Sequence, residues 1–332
     1  MKTTTILGAI ALTAVMTTGG MAEAFKPAVV YDFGGRNDRS FNEAAYKGAL
    51  KFKERTGVNF RDFEIQNPSQ REQALRNFAR RGLDPIITIG FAQAAALEKV
   101  AKEFPETNFA IVDAVVDLPN VRSIVFKEGE GSFLVGLLAA QATETDTIGF
   151  VGGMDIPLIR KFACGYKQGA KYVNPDIEII ENMTGTTGAA WTDPLKGGEL
   201  ARSQFARGAD VVFHAAGLTG TGVLQAAADE GKFGIGVDSN QNYLHPGSVL
   251  TSMIKGVDVA VDKTLVDAQE GNWTSGVQVL GLAEDGVSWA YDQYNAPLIT
   301  EEMKSAVEQA KMDIISGKVE VHDYMVDSSC PF

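Results

Sequence analysis

The 332-residue sequence is short of the residues that most often carry metal or redox chemistry: two cysteines and three histidines. His214, His245 and His322 stand apart, and there is no H-E-x-x-H, no C-x-x-C and no His-rich tract. A zinc site would rest on scattered carboxylates, which suit that ion poorly. EF-hand spacing and the G-x-x-x-x-G-K-[ST] phosphate loop are missing. No G-x-S-x-G elbow marks a hydrolase nucleophile. The Gly-rich turn Gly217-Leu218-Thr219-Gly220-Thr221-Gly222 is spaced G-x-x-G-x-G, which is not the dinucleotide fingerprint. No cofactor is therefore expected. Positive charge is scarce too: 30 Lys and Arg against 42 Asp and Glu, a net charge of -12. Such a surface repels phosphate backbones and anionic lipid, so neither nucleic-acid polymers nor membrane surfaces are expected partners.

Long apolar runs are also lacking beyond residue 24, so no membrane insertion is expected. The first 24 residues have an apolar run from Ile6 to Met16 behind Lys2, and they end Ala22-Glu23-Ala24. The run is shorter than the ~20 residues that span a bilayer, and the small-x-small ending suits signal peptidase. Residues 1–24 are read as a cleaved secretory signal, and 25–332 as a periplasmic protein. With no cysteine near the cleavage point, lipid anchoring is not expected. In an oxidising compartment Cys164 and Cys330 can pair, tying the C-terminal tail to the body. Two free thiols are the alternative.

Apolar, β-rich runs alternate with helical patterns. Strands are predicted at 28–33, 58–65, 85–90, 108–113 and 121–126, with helices at 40–56, 68–81, 92–104 and 128–143. The order then restarts. Strands at 147–151, 177–183, 210–214, 233–237 and 248–254 alternate with helices at 157–173, 194–207, 219–230 and 257–269. Short strand-like runs at 277–282 and 287–291 and a helix at 300–316 close the chain. This alternation implies parallel sheets covered on both faces. A closed eight-fold barrel is the rival. Two doubly wound lobes are preferred because Phe33-Gly34-Gly35 and Val151-Gly152-Gly153 echo one another, each leading to a helix that carries a Phe (Phe41, Phe162).

In open α/β sheets the binding crevice lies beyond the carboxyl ends of the strands. Asp32, Asp38, Phe41, Phe91, Asp113, Phe213, His214, Asp238 and Lys255 are expected there. Each has a plainer reading: Phe41 and Phe91 as packing residues, Asp38, Asp113 and Asp238 as turn or capping acids. Ser40 is read as a helix N-cap rather than a nucleophile. As a group, acids, aromatics and one amine suit a neutral, flat, hydroxyl-rich ligand.

The segment Gly34-Gly35-Arg36-Asn37-Asp38-Arg39-Ser40-Phe41-Asn42 resembles the opening motif of the basic membrane protein family. These are substrate-binding proteins of ABC transporters and include purine-nucleoside receptors. Similar blocks follow in order: Phe109 to Asp113, Phe126-Lys127-Glu128-Gly129-Glu130-Gly131-Ser132, Phe150 to Pro157, Val212 to Gly217, Ile235 to Ser239 and Leu250 to Lys255.

The resemblance implies a type I periplasmic binding protein: two doubly wound lobes with parallel sheets, joined by a three-crossover hinge. The N-terminal lobe would comprise 25–144 and 255–283, the C-terminal lobe 145–254 and 284–332. Crossovers are expected near 143–147, 252–255 and 282–287. The resemblance places a nucleobase between Phe41 and Phe213, with Asp38 and Asn37 on its edge. Asp113, Asp238 and Lys255 would hold the pentose, with Phe91 and Gly217 along the wall. Trp191, in the Gly/Thr-rich stretch 185–191, is a further candidate for altering specificity. The implied function is capture of a nucleoside and delivery to an ABC permease by a monomeric receptor. The alternatives are another small cargo (a sugar, an autoinducer-like molecule or a flavin) and an exported nucleoside hydrolase using the strand-end acids as bases.

Overall fold

A computed structural model describes residues 25–332; the expected signal segment and its cleavage point lie outside the described residues. Twelve strands are described: β1 (Ala28–Tyr31), β2 (Arg61–Glu64), β3 (Ile86–Ile89), β4 (Phe109–Val112), β5 (Val121–Phe126), β6 (Thr147–Met154), β7 (Glu178–Gly185), β8 (Val211–Ala215), β9 (Phe233–Asp238), β10 (Val249–Lys255), β11 (Gly276–Leu280) and β12 (Val287–Trp289). The helices are α1 (Phe41–Thr56), α2 (Gln70–Arg80), α3 (Ala94–Glu103), α4 (Glu128–Ala142), α5 (Pro157–Val173), α6 (Pro194–Ala206), α7 (Gly220–Asp229), α8 (Val257–Gln269), α9 (Glu301–Ile315) and α10 (Tyr324–Asp327).

The strands form two six-stranded sheets, ordered β11-β5-β4-β3-β1-β2 and β12-β10-β9-β8-β6-β7. The two orders match position for position, which excludes the barrel. Every pairing is parallel except β10 with β12. Central strands β1, β3 and β4 are apolar and wholly buried, as strands covered on both faces must be. Edge strands β2 and β11 are partly exposed and carry polar residues. The chain passes between the lobes three times, because β11 returns to the first sheet and β12 to the second.

The first passage lies earlier than expected. Helix α4 packs on α5, β10, β12 and α9, all second-lobe elements. The chain thus leaves the first lobe between Phe126 and Glu128 rather than near 143–147. The reason is in α4 itself, which is apolar around its whole circumference and must be enclosed. Glycines allow that enclosure: a Cβ on Gly165 would collide with the Gly129 backbone, so α4 and α5 touch main chain to main chain. Helix α8 makes the reverse move, leaving β10 to pack on α1.

Cys164 on α5 is bonded to Cys330, with Cα atoms 5.6 Å apart and a sequence separation of 166. Gln168 reinforces the attachment, accepting from His322 N (2.9 Å) and donating to Glu320 O (2.8 Å). Reduction, or a paired Cys164→Ser, Cys330→Ser variant, is expected to lower unfolding free energy by about 2–4 kcal/mol. Denaturation midpoints with and without reductant measure this; coincident curves would show that the bond adds no stability.

Candidate functional site

Between the lobes lies a cleft of about 660 Å³, counting its open mouth. Its floor on the first lobe is set by three adjacent strands. Asp32 follows β1, Gly90 follows β3 and Asp113 follows β4. Neighbouring strands lie ~4.8 Å apart, so the two acids are held roughly 10 Å apart with a glycine between them. Gly90 has φ 106°, and a Cβ there would sit 3.4 Å from Asp32 Oδ2 and 3.7 Å from Phe41 Cε1. The floor is therefore flat between its polar ends. Phe41, the first residue of α1, and Phe91 wall it on one side; Phe162 and Trp191 wall it from the second lobe.

The polar end is a buried charge cluster. Lys255 Nζ lies 2.7 Å from Asp113 Oδ2 and 2.9 Å from Glu128 Oε1. It also stands 5.1 Å from the Phe41 and Phe126 ring centroids and 5.6 Å from that of Phe162. Lys161 closes the far side of Glu128 at 2.9 Å. Asp113 and Asp238 both have left-handed backbones, φ 70° and 63°, at corresponding strand ends of the two sheets. For residues with a side chain such backbones cost of order 1–3 kcal/mol, and they gather at functional sites. Burial pushes both carboxyls up to about 6 against the pull of Lys255. Glu128, flanked by two lysines, is held below its ordinary value despite its burial. Asp113 Oδ1 is buried and has no hydrogen-bond partner among the protein atoms. Opposite it, Ser40 Oγ donates to Asp238 Oδ2 across the lobes (2.5 Å), and Gln241 Nε2 donates to Arg39 O (3.0 Å). The lobes are thus in contact at the lip of the cleft.

The structure brings Asp38, Phe41, Phe91, Asp113, Gly217, Asp238 and Lys255 to the cleft wall. Two of the residues that the resemblance places at the site are not there. Phe213 is fully buried in the core, with its ring 5.5 Å from Phe150 and 5.2 Å from Tyr166. It lies two residues, about 7 Å, short of the strand end, so Ala215 reaches the cleft instead. Asn37 is exposed and lines a separate surface groove with Arg39 and Tyr46.

Asp38 reaches the cleft wall, but its acceptor capacity is spent. It accepts from the backbone N–H groups of Ser40, Asn42 and Glu43 and from Asn42 Nδ2, four bonds for about four lone-pair sites. It acts as the cap of α1 and fixes Phe41. Ser40 makes no capping bond with its side chain, which crosses to Asp238 instead. His214 is buried beneath the site, bonded to Gln241 at 3.0 Å and pushed by burial down to about 4. Glu128 and Phe162 are absent from the expected site set, although Glu128 stands in the block beginning at Phe126 and Phe162 in the internal echo.

Residues 25–324 match the profile of the Bmp family, described as ABC transporter substrate-binding protein PnrA-like. The chain belongs to the Bmp family. A Lactococcus lactis protein named ABC transporter nucleoside-binding protein BmpA is 36% identical over 329 residues, covering 92% of this chain and 91% of that protein. A Pyrococcus furiosus protein named an uncharacterized lipoprotein is 35% identical over 291 residues, covering 82% and 71%. A solved solute-binding protein of an Aeropyrum pernix ABC transporter system superposes with TM-score 0.84 at 31% identity, covering 92% and 95%. This Bmp chain is a substrate-binding protein of an ABC transporter with the type I periplasmic binding fold. No helix among the described residues is long and apolar enough to cross a membrane.

Proposed function

We propose that this Bmp protein binds a nucleoside between its lobes and presents it to a membrane permease. The observation that carries the reading is the pairing of a flat aromatic slot with the unpartnered, buried Asp113 Oδ1. A planar heterocycle fits against Phe41, and each base stacked on an aromatic face is worth ~1–3 kcal/mol. Trp191 takes the opposing position expected of Phe213. Pentose hydroxyls donate to Asp113 and Asp238, whose charge-assisted bonds contribute about 1.5–3 kcal/mol each. The nucleoside-binding name of the Lactococcus relative supports the choice of cargo. The reading extends to an exported monomer that releases its cargo unchanged.

Calorimetry with inosine, guanosine, free bases and free pentoses tests the cargo. Nucleosides should bind at least about tenfold tighter than either half, since stacking and hydroxyl contacts are both needed. A free pentose binding as tightly as the nucleosides would refute the assignment. Chromatography after incubation with inosine should show no free base; release in proportion to protein would establish hydrolysis instead.

The two acids also set a pH dependence of opposite sign for binding and for folding. Their carboxyls rise from 3.8 to about 6 on folding, so between these values the native state holds more protons than the unfolded chain. Their contribution to stability therefore grows as pH falls through 6 and is lost as pH rises through it. Protonation removes the charge from the hydroxyl acceptors. Affinity is expected to drop about tenfold between pH 7 and 5. Titration calorimetry across that range checks this, and a flat affinity profile would count against pentose contact with the two acids.

A further inference from the structure

The floor of the cleft has a second acid, and its setting differs from that of the first. Asp32 Oδ1 accepts from Phe33 N and from Arg71 Nη2, both at 2.9 Å. The Asp32 and Arg71 side chains are each 14% exposed. The guanidinium lies 5.3 Å over the Phe33 ring, which is itself in the cleft wall, while Arg71 stands outside the cleft. With Oδ1 occupied twice, Oδ2 is the oxygen turned toward the floor, 3.4 Å from the Cβ position of Gly90, a position that is itself 3.7 Å from Phe41 Cε1. A ring lying on Phe41 thus has one edge facing Oδ2. That edge is the one remote from the pentose, because Asp113 lies two strands away.

We infer that Arg71 is a specificity-determining positioning residue: it holds the Asp32 carboxylate in one orientation, so that the cleft selects heterocycles presenting an N–H donor at that edge. This rests on the nucleoside reading above. An ionised carboxylate only accepts hydrogen bonds. It is satisfied by the ring N–H of a 6-oxopurine and repelled by the bare ring-nitrogen lone pair of unsubstituted purine. Without the guanidinium the carboxylate is free to turn, so the ring N–H loses its fixed acceptor and the bare lone pair is no longer held against an oxygen.

Calorimetry of inosine, guanosine and purine riboside against wild type, Arg71→Leu and Arg71→Lys provides the test. Wild type should bind the 6-oxopurine nucleosides at least about tenfold tighter than purine riboside, the loss of one charge-assisted bond. Arg71→Leu should bring the ratio to within about threefold, and Arg71→Lys should restore the preference, since a lysine keeps the ion pair. A merely structural Arg71 would lower the melting temperature or weaken all three ligands equally with the ratio unchanged, which overturns the inference alone. Equal binding of all three by wild type overturns it as well. Folded wild type that binds no nucleoside overturns the nucleoside reading and this inference together.

Discussion

Lys255→Met is expected to lower the melting temperature by roughly 10 °C at neutral pH and to abolish ligand binding. Lys255 is 1% exposed and sits among Asp113, Glu128 and Asp238. Its attraction to those carboxylates holds its own pKa well above the ordinary lysine value, so it is charged at any working pH. Removing one partner from a buried ion cluster typically costs about 3–5 kcal/mol, because the other charges stay buried without compensation. At ~2–4 °C per kcal/mol for a protein of this size, that is the predicted shift. The variant should regain stability as pH falls from 7 toward 5, since the stranded carboxylates then take up protons. Thermal denaturation monitored by circular dichroism at both pH values measures this. A melt identical to wild type at neutral pH would mean that the cluster is not held together by Lys255.

The second large effect is a crossed pair. Phe213→Ala should cost about 3–5 kcal/mol of stability, the usual price of a core Phe truncation. Nucleoside affinity at temperatures where the variant is folded should stay within about threefold, since the ring does not line the cleft. Phe41→Ala should do the opposite, weakening affinity at least about tenfold while moving the melting temperature little. The contrast follows from burial: Phe213 is fully enclosed between Phe150 and Tyr166, whereas Phe41 is only partly covered and faces the cleft. Melting curves and calorimetry on both variants decide it. If Phe213→Ala lost affinity and kept its stability, the cleft would have to be redrawn.

The misplacement of Phe213 shows where reading the chain reaches its limit. Strand β8 is buried on both faces, with Val212 in one core and Phe213 in another. A strand of this kind has no polar alternation, so nothing local says which residue is the last one inside the core and which the first in the crevice. Asp113 and Asp238 were legible because they end their strands and the crevice rule applies to ends. Asn37 failed for a related reason: it stands in a loop, and loop side chains follow no period. Asp38 was legible as a residue that matters, but its role as the α1 cap depended on four N–H groups converging on it.

Glu128 makes the same point from the other side. In the chain it is one acid at the start of an apolar helix. In the fold it joins Lys255 from β10 and Lys161 from α5. Helix α4 is legible in composition, yet the sequence assigns it to the first lobe and it packs on the second, because a helix apolar all round can pack against either sheet.

Local pattern by itself determined the order and type of the elements, the doubling of the α/β unit and the strand ends where a ligand would meet the protein. Those features depend on side-chain period and on turn residues only a few positions apart. The tertiary structure alone decided which rings face the cleft, which carboxylates share Lys255 and where the chain first changes lobes. Each of these depends on groups far apart in the chain being buried together, and the energy of a buried charge or ring is set by neighbours that the local sequence does not name.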